Sequence, residues 1–334
     1  MMLGAPETHA ASLTPDVPAQ SDPQHRPDPH PDPHPEQLLA ALAEVLLGKE
    51  RAIRLALTGF LAGGHILVED VPGVGKTTLA LGLARLLGLD FARVQMTADL
   101  LPGDILGSSV FDPRSQHFVF HPGPVFHGVV LMDEINRASP RSQSALLEAM
   151  AEGQVSADGQ SMPLPDPFFV IATQNPQEHA GVFPLPESQL DRFILRFSLG
   201  YPGREAERLL IQGKNQHPAD LSALAHQNLL QKWRQQVTEV FLGTEMEDML
   251  LQIVQRSRMD ARIRMGLSPR ALLALKSAAQ AWAFLAGRDF VIPDDLCAVA
   301  VPVLAHRLLS TASLSGENLA LLLGQESWGL DIHP

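Results

Sequence analysis

The chain has 334 residues, 45 % of them hydrophobic, a formal net charge of −12 and a single cysteine. That length accommodates about two domains, and the acid excess argues against a protein that wraps nucleic acid, which needs clustered Lys and Arg. One cysteine excludes an internal disulfide, so a reducing cytoplasm is the expected setting. Residues 1–36 carry six acids against Arg26 and are dense in Pro, Asp and His, as in RPDPHPDPHPE. Such a segment cannot bury a core and reads as a solvated tail. Its histidines His25, His30 and His34 could in principle bind a metal, but only the metal itself would order them. No charged start followed by an apolar core is present, so no secretory signal is expected. Runs such as LALTGFLAGGHILV are too short and glycine-broken to span a bilayer.

From Gln37 to about Gly200, short apolar runs alternate with helix-like segments, the pattern of a parallel sheet with helical crossovers. Strands are predicted at residues 65–69, 91–96, 128–132, 168–173 and 193–198, with helices near 76–87, 141–152 and 187–192. Two hairpin-like inserts, 108–121 and 153–164, interrupt this α/β core, the second turning at Asp158-Gly159. After Tyr201 helical periodicity takes over, and Ser268-Pro269 and Ile292-Pro293-Asp294 read as helix starts. The predicted division is therefore a tail (1–36), an α/β domain (37–200) and a helical domain (201–334). Cys297, in LCAVAVPVLA, reads as a small core residue rather than a reactive thiol.

The stretch EDVPGVGKTTLA follows the first predicted strand and opens the first helix of the α/β region. It nearly matches the phosphate-cradling pattern G-x-x-x-x-G-K-[ST], with Asp70 in the slot of the first glycine. The candidate phosphate-binding set is Pro72, Gly73, Val74, Gly75, Lys76, Thr77 and Thr78. The glycines let amides approach phosphate, Lys76 supplies a cation and Thr77 offers a hydroxyl to Mg²⁺. Asp70 lies at the strand exit, where a turn tolerates Asp. A carboxylate about 8 Å from phosphate would cost roughly 2 kcal/mol at most, less than the convergent amides, Lys76 and Mg²⁺ return. Taken alone, the incomplete motif also fits an ordinary strand–turn–helix. Downstream, GVVLMDEINRASP delivers Asp133 and Glu134 to a strand's carboxyl edge, beside the loop, where open α/β sheets bind ligands. One carboxylate can hold Mg²⁺ and the next can accept a proton from an attacking water.

With LLPGDILG, HPGPVFHGVVLMDEINRASPRSQSALLEAMAEGQV, FFVIATQNPQEHAGVFPLPESQLDRFILR and LSPRALLALKSAAQAWAFLAGRDFVIPDD added, the chain resembles the MoxR family of AAA+ ATPases from about Leu47 to Leu309. The resemblance implies an AAA+ P-loop core with a C-terminal all-α lid, binding ATP and Mg²⁺. It implies Asp133 as metal ligand with Thr77, Glu134 as catalytic base and Asn175 as the polar sensor. Arg192 would be a finger completing the neighbouring subunit's site, and Arg270 a second sensor tying lid position to the nucleotide. Gly48 and Lys49 would lie near the adenine. The resemblance further implies a homo-oligomeric ring, commonly a hexamer, chaperone-like work on client proteins, and often a partner with a von Willebrand factor type A domain. The inserts would then touch the client, or be plain surface hairpins. Competing classes are the ATPase subunit of a metal-chelatase-like complex, a ring-shaped nucleic-acid motor and a non-hydrolysing nucleotide switch. The acid balance argues against the motor, and retention of Glu134, Asn175 and Arg192 against the switch.

Overall fold

The computed structural model describes residues 33–157, 159–176, 181–311, 314–330 and 332. His25, His30, Asp158 and most of the acidic segment lie outside the described residues. Helices α1 (Pro35–Val45) and α2 (Glu50–Leu61) lead into β1 (His65–Glu69), followed by α3 (Lys76–Leu87) and β2 (Phe91–Gln95). A short α4 (Pro102–Leu106) precedes the hairpin β3 (Gly107–Asp112) and β4 (His117–Pro122). Then come β5 (Val129–Asp133), α5 (Pro140–Glu152), the hairpin β6 (Gln154–Ala157) and β7 (Gln160–Pro163), β8 (Phe169–Gln174), α6 (Glu187–Leu190) and β9 (Phe193–Phe197). The remainder is mainly helical: α7 (Arg204–Ile211), α8 (Gln227–Glu239), α9 (Thr244–Met259), α10 (Pro269–Leu285), α11 (Pro293–Leu304) and α12 (Gly316–Trp328).

Five strands form one sheet in the order β2-β5-β8-β1-β9, each neighbouring pair parallel. The expected strands and the first long helix are therefore present, displaced by at most a residue, and both inserts are antiparallel hairpins. Runs of Val, Leu, Ile and Met produce buried strands because helices cover both faces, so no polar alternation is needed. The pleat nonetheless sorts them. Ile66, Val68, Leu131 and Ile171 join a cluster with α2, α3 and the later helices, while Leu67, Val130, Met132, Val170 and Ala172 pack with α5 and Ile105.

Caps set the helix ends. Ser139 accepts the Ser142 N–H at the start of α5, Ser268 accepts that of Ala271 at the start of α10, and left-handed Gly88 closes α3. The later helices share a core with the sheet's helical layer. The Arg54 guanidinium of α2 stacks on Trp282 of α10 at 4.3 Å, and Arg234 of α8 lies 4.5 Å over Phe60. Cys297 is buried, and burial raises its thiol pKa, as an inert core position requires. Among the described residues no helix is long and apolar enough to cross a membrane.

Candidate active site

The strand β1 ends at Glu69, and the loop Asp70–Gly75 turns the chain directly into α3, so the loop amides and the helix N-terminus share one mouth. The loop requires glycine at its tightest points. Gly73 has φ +86° and Gly75 φ +107°, and a Cβ on Gly75 would meet Leu46 Cδ1 at 2.6 Å. Asp70, the residue replacing the first glycine of the pattern, is buried and turned away from the mouth. Its Oδ2 accepts from the Ser198 hydroxyl and the Gly200 N–H, both at 2.7 Å, and its Oδ1 from the Val71 N–H at 2.9 Å. The carboxylate thus braces the loop against the exit of β9, and three donors answer its charge.

Lys49 braces the same exit from the other side. Its buried ammonium donates to the carbonyls of Leu199, at 3.1 Å, and Gly200. Burial lowers its pKa, partly countered by Asp70. The resemblance put Gly48 and Lys49 near the adenine, and the structure qualifies both. Lys49 does line the apolar cavity of about 440 Å³ beside the loop, but its charge is committed elsewhere because a buried ammonium needs acceptors. Gly48 lies outside that lining; it turns at φ +70° against Ala206, whose Cβ would be 2.9 Å from an added one.

Pro72, Gly73, Gly75, Thr77 and Thr78 also line a second cavity of about 320 Å³, which holds Lys76, Arg93, Gln95, Asp133, Glu134 and Thr173. The two form one groove with an apolar end and a charged end, the outline of a base joined to phosphates. Lys76 Nζ donates to the Asp70 carbonyl at 2.7 Å. Burial pulls its pKa down while Asp70, Asp133 and Glu134 hold it up. Gln95 pairs in register with Asp133 across β2 and β5. Asp133 Oδ2 accepts from Arg93 Nε at 2.7 Å, with Arg93 Nη2 in ion-pair contact at 2.7 Å, and its Oδ1 accepts from the Thr173 hydroxyl at 3.1 Å. The same hydroxyl accepts the Glu134 N–H at 2.9 Å, so Thr173 fixes both acids.

Glu134 sits at φ +58°, a left-handed conformation rare for a residue with a Cβ, and one that recurs at functional sites. Its Oε2 accepts from Gln95 Nε2 at 3.0 Å and Arg137 Nη1 at 2.9 Å. Asn175 follows β8, which lies between β5 and β1, and is buried at the same carboxyl edge. The donor set fits magnesium: hydroxyl and carboxylate oxygens line the cavity, and among the described residues no cluster of three or more His, Cys, Asp or Glu forms a complete protein cage. A hard cation that keeps waters and takes phosphate ligands needs no such cage.

Two predicted residues are not brought to this edge. Phe193 pairs with His65, the first residue of β1, so Arg192 stands at the sheet's amino edge, a strand length of about 13 Å from the loop. Its Nη1 donates to the Leu147 carbonyl of α5. Arg270 is exposed in the first turn of α10; burial lowers the Arg307 pKa, and the nearby Arg270 charge adds a smaller push in the same direction. Arg307 in turn donates to Asp191 Oδ1 at 2.6 Å and to the Phe193 carbonyl at 2.7 Å, while the Ser268 hydroxyl lies 3.5 Å from Asp191 Oδ2. The resemblance implies Arg270 as a second sensor tying lid position to the nucleotide; the start of α10, which carries it, meets the segment before β9 through Ser268 and Asp191. Sequence reasoning missed Arg93, Gln95, Thr173 and Arg307. For Arg93 and Gln95 a signal existed, two polar residues at period two on a predicted strand; for Arg307 there was none.

A model of the ATPase family associated with various cellular activities (AAA) matches residues 65–195, and an AAA lid domain model matches residues 255–321. Chaperone MoxR1 of Mycobacterium tuberculosis is 38 % identical over 285 residues, 83 % of this chain and 76 % of that one. Protein MoxR of Paracoccus denitrificans is 32 % identical over 85 % of this chain and 91 % of its own, and YeaC of Bacillus subtilis is 46 % identical over 79 % and 83 %. A crystal structure from Cytophaga hutchinsonii, described as that of a candidate ATPase, superposes with TM-score 0.80 at 32 % identity, covering 90 % of this chain and 94 % of that one.

Proposed function

This chain belongs to the MoxR family of AAA+ ATPases and hydrolyses ATP, and from that premise we propose that it does so as a magnesium-dependent ring, commonly a hexamer, that remodels or assembles client proteins in the cytoplasm. Residues 37–200 serve as the nucleotide-binding domain and 201–334 as its lid. The observation that carries the reading is the meeting of Lys76, Thr77, Asp133 and Glu134 on one cavity while Arg192 stands at the opposite edge of the sheet.

In this reading Lys76 and the loop amides hold the β- and γ-phosphates, and Thr77 and Asp133 would hold Mg²⁺, which would supply positive charge against that developing on the terminal phosphoryl group. Glu134 accepts the proton of the attacking water, and Asn175 orients that water. Glu134's bonds to Gln95 and Arg137 keep its carboxylate at the cavity wall. Arg192, too far from its own loop, reaches the γ-phosphate of the adjacent subunit, and Arg270 acts from the same face. Client contact is assigned to the β3–β4 hairpin, where Phe118 is 71 % exposed and stacks edge-on with Phe111 at 5.6 Å. Client work of this kind fits the chaperone name of the MoxR1 relative, and a partner with a von Willebrand factor type A domain is part of the same proposal on the family resemblance alone. The expected result is Mg²⁺-dependent turnover per chain that rises with protein concentration. Glu134→Gln should retain ATP but lose about 10²-fold or more in turnover, since only the proton acceptor is removed. Undiminished hydrolysis by that variant would reject the assignment of the base.

A further inference from the structure

Arg93 is not accounted for by the roles above, although it faces the same cavity. It lies on β2 with its side chain on the face of Gln95, half-exposed, beside Lys76, Thr77 and Glu134. Its Nε donates to one oxygen of Asp133, with Nη2 in ion-pair contact with the same oxygen, while the other oxygen accepts from the Thr173 hydroxyl. With the Arg93 guanidinium on one oxygen of Asp133 and the Thr173 hydroxyl on the other, both oxygens that a metal or its waters would use are already engaged. Arg93 and magnesium therefore compete for one group. A guanidinium also has more donors than the two that Asp133 uses, arranged in a fork that suits phosphate.

We propose that Arg93 is a second cation of the phosphate site: it neutralises Asp133 when that carboxylate is not engaged by magnesium, and is released onto the terminal phosphate when it is. The inference rests on the reading of this cavity as the Mg²⁺–ATP site. An ion pair answering the buried Asp133 carboxylate accounts for the contact itself, but not for Arg93 also lining the groove that Lys76 and Thr77 share. The exchange links metal binding to recognition of the third phosphate. Asp133 gives up one cation for another, and the displaced charge moves to where ATP differs from ADP. Thr173 holds the other carboxylate oxygen throughout, so Asp133 keeps its place while its partner changes.

The test measures binding rather than turnover. Affinities for ADP and for a non-hydrolysable imido analogue of ATP are measured on wild-type protein, Arg93→Gln, Arg93→Lys and Lys76→Ala, across a magnesium titration. Arg93→Gln should weaken the ATP analogue by about tenfold, the effect of losing a charge-assisted bond, and ADP by no more than about twofold. It should also lower the magnesium concentration at half-saturation several-fold, because the competitor for Asp133 is gone. Arg93→Lys, a point charge without the fork, should fall between, and it carries the test should the glutamine variant prove poorly folded in a thermal melt. Equal weakening of both nucleotides, or an unchanged or raised magnesium requirement, overturns the inference. Lys76→Ala separates this from the underlying reading: if that variant binds nucleotide as wild type does, the cavity is not the phosphate site at all.

Discussion

A single carboxylate decides how the phosphate loop should be understood. The loop pattern wants glycine where Asp70 stands, and a repulsion of roughly 2 kcal/mol corresponds to about 30-fold in ATP affinity. The structure instead turns Asp70 onto Ser198, Gly200 and Val71, with Lys49 bracing the same exit. The expected outcome for Asp70→Gly, which restores the pattern, is therefore a loss of about 3 kcal/mol in urea unfolding, from an unanswered N–H and an uncompensated Lys49. Asp70→Asn should tighten ATP binding by less than about threefold, because the charge it removes does not face the phosphates. A gain approaching 30-fold in ATP affinity would mean that it does. This bracing role was not legible in the sequence, since the partners lie 128 and 130 residues away. Lys76, Thr77, Asp133 and Glu134 were legible because each sits at a fixed offset from its own strand or helix, and local offsets survive in one dimension.

Elements were read well where burial was uniform and poorly where it came from afar. The buried runs of β1, β5 and β8 announce a covered parallel sheet, whereas α2 lacks a side-chain cap at its start and ends in apolar residues that lead on through glycines to the strand that follows. How the elements lock together is also tertiary information. His65, at the start of β1, accepts the Val170 N–H of β8 on Nδ1 at 3.0 Å, so its proton is on Nε2, facing the Met150 carbonyl of α5 at 3.3 Å. His306 donates from Nε2 to the Phe193 carbonyl of β9 at 2.9 Å. Burial holds both imidazoles neutral, His65 at about 4 with Arg234 contributing, and His306 well below 6.5 with Arg307 and Arg196 contributing. Between pH 6.5 and 4 the unfolded His65 binds a proton that the folded one refuses, so stability present above pH 6.5 is lost as pH falls. From His65 alone the loss is roughly 2 kcal/mol by pH 5. Urea midpoints across this range should fall in wild type, and the slope should be shallower by one proton in His65→Gln, whose amide can keep both bonds. An identical slope in the variant would contradict the neutral tautomer.

At the scale of the whole molecule, the candidate functional residues fall on two edges of one sheet. The carboxyl edge carries Lys76, Asp133, Glu134 and Asn175; the amino edge carries Arg192, with Arg307 holding Asp191 and Phe193 on either side of it and Arg270 nearby. Sequence order hides this separation, because Arg192 directly precedes a strand that lies beside β1, and only the parallel register shows which end of the sheet it occupies. On the proposed reading such a chain supplies half of one site and half of another, and a head-to-tail ring would bring the halves together. The direct measurement is ATP turnover by Lys76→Ala and Arg192→Ala chains, separately and mixed. Each alone should be nearly inactive, and random mixing in equal amounts should restore roughly a quarter of wild-type activity, the share of interfaces pairing an intact loop with an intact arginine. A mixture no more active than its components, or an Arg192→Ala chain fully active by itself, would contradict the shared site.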